Sequence, residues 1–239
     1  MPAFTRIVAV GLLLLAALPV VAEGNKSPWL RIDANVYPWQ RDIENDTDFT
    51  LVINAQLPER FSYFSYANMR GVVTSGDAQF LRSEQNLRWA ISDQLPIDLT
   101  TQAIIARGDG NDALQFGISW RVHDTAAFAN FFDRAGLIYR MNFHLKRFTS
   151  GDEDVWQMEH FFKWIVPGLS KRVYLSGFLD QTFDLDLPDE FPETIIVTEV
   201  QLGVRVFRQL HIVTEYRHND RRLGNEQNLA AGFEYKFAW

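Results

Sequence analysis

Cysteine is absent from all 239 residues. Such a chain can build neither a disulfide framework nor a thiolate metal site. The absence also suits a protein that crosses an oxidising periplasm. Long apolar runs are scarce. Beyond residue 22 no stretch approaches 18 uncharged apolar residues, so no membrane-spanning helix is expected. Basic residues are outnumbered: 23 Lys+Arg stand against 30 Asp+Glu, for a net charge of −7, with no basic stripe. That balance argues against a nucleic-acid partner. No nucleotide-binding motif occurs, so no energy coupling and no cofactor are expected.

What is present begins with "MPAFTRIVAVGLLLLAALPVVAEG". Arg6 is the only charge before Glu23, an apolar run follows it, Pro19 breaks the run, and small residues lead up to Ala22. This is the pattern of a secretory signal peptide over residues 1–22, cleaved after Ala22, and the run is too short for a spanning anchor. Losing Arg6 takes the charge of residues 23–239 to −8.

From Glu23 onward, apolar and polar residues alternate with a period of two. "WLRIDANVY" sets Leu30, Ile32, Ala34 and Val36 against Arg31, Asp33 and Asn35. "LIYRMNFHLK" sets Leu137, Tyr139, Met141, Phe143 and Leu145 against Arg140, Asn142, His144 and Lys146. That period is the signature of strands with one apolar and one polar face. It predicts twelve strands, near 29–39, 47–57, 61–73, 84–92, 96–107, 112–122, 137–148, 155–166, 171–183, 194–207, 210–218 and 228–239. Each is close to the length that a tilted strand needs to cross a bilayer.

The connections alternate too. "PER", "DQLP", "PGLSK" and "RQ" are short, with "HDTAAFANFFDRAG" as an exception that holds a helical turn. The others, such as "TSGDED" and "DLDLPDEFPE", are longer and acidic. Trp89, Trp120, Trp164 and Trp239 fall on the apolar parity near the short-turn end; Phe49, Trp156 and Tyr216 fall near the long-loop end. Two aromatic rings at opposite heights match two membrane interfaces.

A soluble sandwich or lipocalin-like barrel also alternates, with its apolar face inward. Three features favour lipid instead: the signal peptide, the sorted tryptophans, and the terminal "NLAAGFEYKFAW". The last resembles the insertion signal read by outer-membrane assembly machinery. The expected fold is therefore all-β: a transmembrane antiparallel β-barrel of twelve strands in an up-and-down meander over residues 23–239, in contact with outer-membrane lipid and lipopolysaccharide.

If the apolar face meets lipid, the other parity lines the lumen. It carries near-equal numbers of cations and carboxylates, which pair or stay wet. Arg31, Asp33, Glu199, Arg205, Glu215 and Arg217 are the candidates for a charged constriction. Arg70, Arg88, Lys146 and Lys163 share their parity. Phe64, Tyr66, Tyr174 and Phe178 also point inward, beside Asp180. Rings that stack on a flat solute, with charged groups for its hydroxyls or amides, suit a small polar solute. The plainer alternative is a structural ion-pair and ring network that holds or fills the barrel.

Several stretches resemble the nucleoside-specific, Tsx-like channel-forming outer-membrane proteins. They are "HFFKWIVPGLSKRVYLSGFLDQTFDLD", "FSYFSYANM", "LHIVTEYRHND" and the terminal "AAGFEYKF". The resemblance spans most of the chain through short, loose motifs. It implies a monomeric barrel of twelve strands that passes nucleosides, with Phe64, Tyr66, Tyr174, Phe178 and Asp180 at the matching lumen positions. The chain departs from that family in its shorter outer loops and in ending on Trp239.

An outer-membrane lipid hydrolase is one alternative. His144 is followed two residues on by Lys146 rather than a hydroxyl, and no histidine stands at triad spacing, so no enzyme is expected. Asp184, Asp186, Asp189 and Glu190 offer oxygen ligands without an EF-hand pattern and read as a solvated loop, so no metal is expected. A non-conducting structural or adhesion barrel is the other alternative, but its working surface would be loops hardly longer than ordinary connections.

Overall fold

The computed structural model describes residues 27–41, 48–70, 80–107, 112–149, 155–183, 190–222 and 224–239. The proposed signal peptide and the carboxylates Asp184, Asp186 and Asp189 lie outside them. Twelve strands form one closed barrel in which every strand pairs antiparallel with its sequence neighbours and β1 pairs with β12. In chain order they are β1 Trp29–Gln40, β2 Asp48–Gln56, β3 Phe61–Arg70, β4 Phe80–Ala90, β5 Ile97–Arg107, β6 Ala113–Trp120, β7 Leu137–Thr149, β8 Trp156–Trp164, β9 Val173–Phe183, β10 Ile195–Phe207, β11 Leu210–Asn219 and β12 Gln227–Ala238. Closure leaves no edge strand with open backbone groups.

The alternation decides which side chains enter the barrel. On β11, His211, Val213, Glu215 and Arg217 are buried between exposed Ile212, Thr214 and Tyr216. Polar groups are in and apolar groups are out, the reverse of a soluble sandwich. The connection after β6 is partly helical, as expected. A 3-10 turn over Val122–Asp124 leads to a short helix, α1, over Ala129–Ala135. Gly136 caps α1 at φ 65°, a left-handed conformation that glycine adopts without penalty.

Two departures from simple alternation matter. The β1–β12 register slips between Val36 and Trp39. Tyr37 stays inside at 0% exposure, Trp39 turns out at 51%, and Gln40 returns inside at 6%. Pro38 has no N–H for the ladder, which makes this a natural place for a bulge. The second slip lies where Phe116 faces Lys146 and Gly117 faces His144. Leu145 is the extra residue. His144 is buried, but Lys146 stands outside with its ammonium over the Phe148 ring. The strict parity that placed Lys146 in the lumen is corrected by this bulge. β4 also begins at Phe80 rather than 84, because Phe80–Ser83 pair with Ala67–Arg70.

Candidate functional site

A cavity of about 1060 Å³ occupies the interior. It reaches the short-turn rim, where Arg60, Gln94, Leu95 and His123 line it, and extends to the level of Tyr37, Tyr66, Phe178, Glu199 and Glu215. Rings cross the lumen at its inner end. Phe64 on β3 meets Phe161 on β8 edge-on, with centroids 5.3 Å apart, although the two strands lie on opposite sides of the barrel. Tyr66 meets Phe178 of β9 at 6.4 Å, and Phe161 meets Phe178 at 6.3 Å. The Tyr66 hydroxyl donates to Glu199 on β10 at 3.3 Å. Ring burial and edge-to-face geometry both stabilise such a bridge.

The wall below the bridge is charged and mostly paired. Arg31 pairs with Asp33, its neighbour on the same face of β1. Lys236 pairs with Glu234 at 2.9 Å. Asp98, 2% exposed, accepts from both Arg121 and Arg140, the latter at 3.0 Å. The Arg88 guanidinium lies 5.7 Å from the Phe64 centroid and 5.9 Å from that of Phe161.

Toward the long-loop end, polar side chains pack on one another. Glu159 accepts from Asn142 at 2.5 Å and from Gln102 at 3.5 Å. Arg217 donates to Glu215 at 2.5 Å and to Asp48. Tyr37 donates to Glu215 at 2.5 Å, and Gln201 bridges Asn35 and Tyr37 at 2.9 and 2.6 Å. Such pairing of opposite charges is what makes buried charge tolerable.

The sequence-chosen residues therefore separate. Phe64, Tyr66, Phe178, Arg31, Asp33, Glu199 and Glu215 line the cavity. Tyr174 is 6% exposed, bonded to Gln201 at 2.7 Å and to Glu234, and covered by the Lys236 ammonium at 3.9 Å. Opposite it Gly203 leaves room: a Cβ there would stand 2.2 Å from the Tyr174 ring. Asp180 is buried beside Glu159, beyond the bridge. Arg217 lies behind Glu215, and Arg205 is exposed, two residues from the short-turn end of β10. The six charges thus stand at several heights rather than in one ring. Phe161 and Tyr37 were not singled out in the sequence. The inward parity of Glu159, Phe161 and Lys163 was the available signal for Phe161.

Some polar groups face outward, and one set of them is bonded across three strands. His160 on β8 accepts from the Tyr139 hydroxyl at 2.6 Å through Nδ1, and its Nε2 lies 3.3 Å from the Gln181 carbonyl oxygen.

No protein-family model matches the chain, and no curated protein sequence matches it. Solved structures share its fold. A KdgM porin superposes with a TM-score of 0.52 at 12% identity, over 87% of this chain and 99% of the porin. A KdgM porin in complex with disordered oligogalacturonate gives 0.52 at 11%, over 87% and 99%. A NanC porin gives 0.52 at 10%, over 87% and 100%. At such identities the likeness is one of fold.

Proposed function

We propose that this chain is a Gram-negative outer-membrane channel for passive, selective passage of small polar solutes, nucleosides first among them. The observation that carries the proposal is the cavity of about 1060 Å³, lined by charged side chains and aromatic rings, inside a closed barrel whose exposed outer faces carry large apolar side chains. Twelve strands fall between the eight whose interior side chains fill and the 16–18 of wide pores, so a narrow lumen follows. The fold shared with KdgM and NanC porins supports a channel in the outer membrane.

The cluster of Phe64, Phe161, Tyr66 and Phe178 offers ring faces and edges to a nucleobase, and Glu199 stands beside it for ribose hydroxyls. A saccharide is the second reading, favoured by the oligogalacturonate in the KdgM complex. In this scheme residues 1–22 are removed on export, and the barrel works as a monomer against outer-membrane lipid and lipopolysaccharide. The assembly machinery engages β12, the strand that closes onto β1 with Trp239 and Leu30 exchanging backbone bonds at 3.2 and 3.0 Å.

The test is single-channel conductance of the refolded mature chain in a planar bilayer, with adenosine and thymidine titrated in. Discrete conductance that nucleosides block is expected, and Phe178→Ala should weaken the block. Conductance blocked by saccharides but not nucleosides selects the second reading. A folded barrel that passes no current overturns the channel and returns weight to a lipid hydrolase or an adhesion barrel.

A further inference from the structure

Seven cations line the cavity, and five of them hold a carboxylate: Arg31, Arg60, Arg121, Arg140 and Lys236. Arg88 and Lys163 do not. Among the described residues no carboxylate lies within ion-pair distance of either. Arg88 is 6% exposed, and its Nε is buried without a partner. Its contacts are the Phe64 and Phe161 rings. Lys163 has the Tyr174 ring 5.7 Å from its ammonium. A ring face offsets only part of the cost of desolvating a cation. A barrel that pairs its other cavity cations has left these two open toward the same space.

Their neighbours say what would complete them. Phe161 touches Arg88 and stands two residues from Lys163 on the inward face of β8. Guanidinium, ammonium and ring therefore share one stretch of wall. From this we infer that the cavity is a binding site for ring-bearing solutes that carry an anionic group, a phosphate or a carboxylate. The ring lies against Phe64 and Phe161, and the anionic oxygens accept from Arg88 and Lys163. Arginine's planar fork suits either oxyanion, and a charge-assisted bond in a poorly hydrated wall is stronger than a neutral one. This deepens the channel proposal and rests on it for its biological sense, but the binding stands or falls separately.

The experiment is equilibrium binding to the refolded mature chain in detergent, by calorimetry, with two matched pairs: AMP against adenosine, and galacturonate against galactose. In one of the pairs the acid is expected to bind at least about tenfold more tightly than its neutral partner. The pair that shows it identifies phosphate or carboxylate as the group recognised. Arg88→Gln and Lys163→Gln should each pull that ratio toward one, and Arg88→Lys should retain more of it than Arg88→Gln. If Arg88→Gln fails to fold, the half-buried Lys163 decides through Lys163→Gln. Equal affinities for acids and neutrals in both pairs overturn the inference, as does a preference that survives both glutamine variants. A conducting barrel that binds only neutral solutes sinks this inference and leaves the channel. A non-conducting barrel that binds acids sinks the channel and leaves this site.

Discussion

At the scale of single residues, the outward His160 sits poorly with the lipid environment of the proposed channel. It lies midway along β8 between Trp156 and Trp164, the two aromatic positions that bracket the strand. In hydrocarbon an unpaired polar group costs several kcal/mol, so such residues survive only when satisfied. Tyr139 and Gln181, on the flanking strands β7 and β9, do that from both sides. With Nε2 protonated, the Tyr139 hydroxyl donates to Nδ1 and Nε2–H donates to the Gln181 carbonyl. His160→Leu removes the partner of both neighbours and should cost about 1–3 kcal/mol, read from the urea midpoint of unfolding in lipid vesicles. Adding Tyr139→Phe and Gln181→Leu should recover most of that loss, because no orphaned group remains. A single variant as stable as the wild type would show that the cluster does not hold the strands. Deep in the lumen the same logic is stronger. Asp48, 0% exposed, accepts from Arg217. Asp48→Ala leaves that guanidinium less compensated and should lower stability by about 3–5 kcal/mol in the same assay.

At the scale of elements, parity made the barrel legible and the bulges set the limit. Alternation within each strand is a local signal, so twelve strands, their faces and the helical exception after β6 could all be read from residues alone. A slip of one residue reverses every side chain beyond it, and its cause lies on the partner strand. Lys146 went to the wrong face for that reason: the sequence of β7 gives no sign of the extra Leu145. The cause is visible at Gly117 on β6, where a Cβ would stand 1.8 Å from the Phe143 carbonyl oxygen. Only glycine lets the bulged strand come so close. Gly117→Ala must push β6 and β7 apart and should destabilise the barrel by more than about 2 kcal/mol. Gly168→Ala is the control. Nothing lies within 4 Å of its Cβ, and its cost is confined to an alanine at φ 85°, about 1 kcal/mol. Thermal loss of the compact, heat-modifiable form on gels compares the two. Equal losses would mean that the bulge does not depend on Gly117.

At the scale of the whole molecule, what escaped the sequence was which side chains meet across the lumen. Parity sent Phe64, Tyr66 and Phe178 inward, but closure and strand stagger decide that Phe64 reaches Phe161 from β3 to β8. Separations of that kind have no local trace. In the proposed channel the crossing would also govern conduction. A solute that enters at the short-turn rim meets charged walls first and then a bridge of rings, with the tightly paired polar groups around Glu159 and Arg217 beyond it. Phe161 is the member shared by the contacts to Phe64, Phe178 and Arg88. Phe161→Ala opens the bridge at its centre without touching an ion pair. Single-channel conductance in a planar bilayer should therefore rise above the wild-type level, while block by adenosine weakens because a ring face is lost. The folding cost should stay below the about 3–5 kcal/mol of a fully buried phenylalanine, since Phe161 is only half-buried. Removing charge at the rim by Arg60→Gln should leave conductance nearer the wild-type value, as that side chain lies wide of the narrowing. If Phe161→Ala conducts no better than the wild type, the resistance of the pore lies beyond the rings, in the polar packing of the long-loop half.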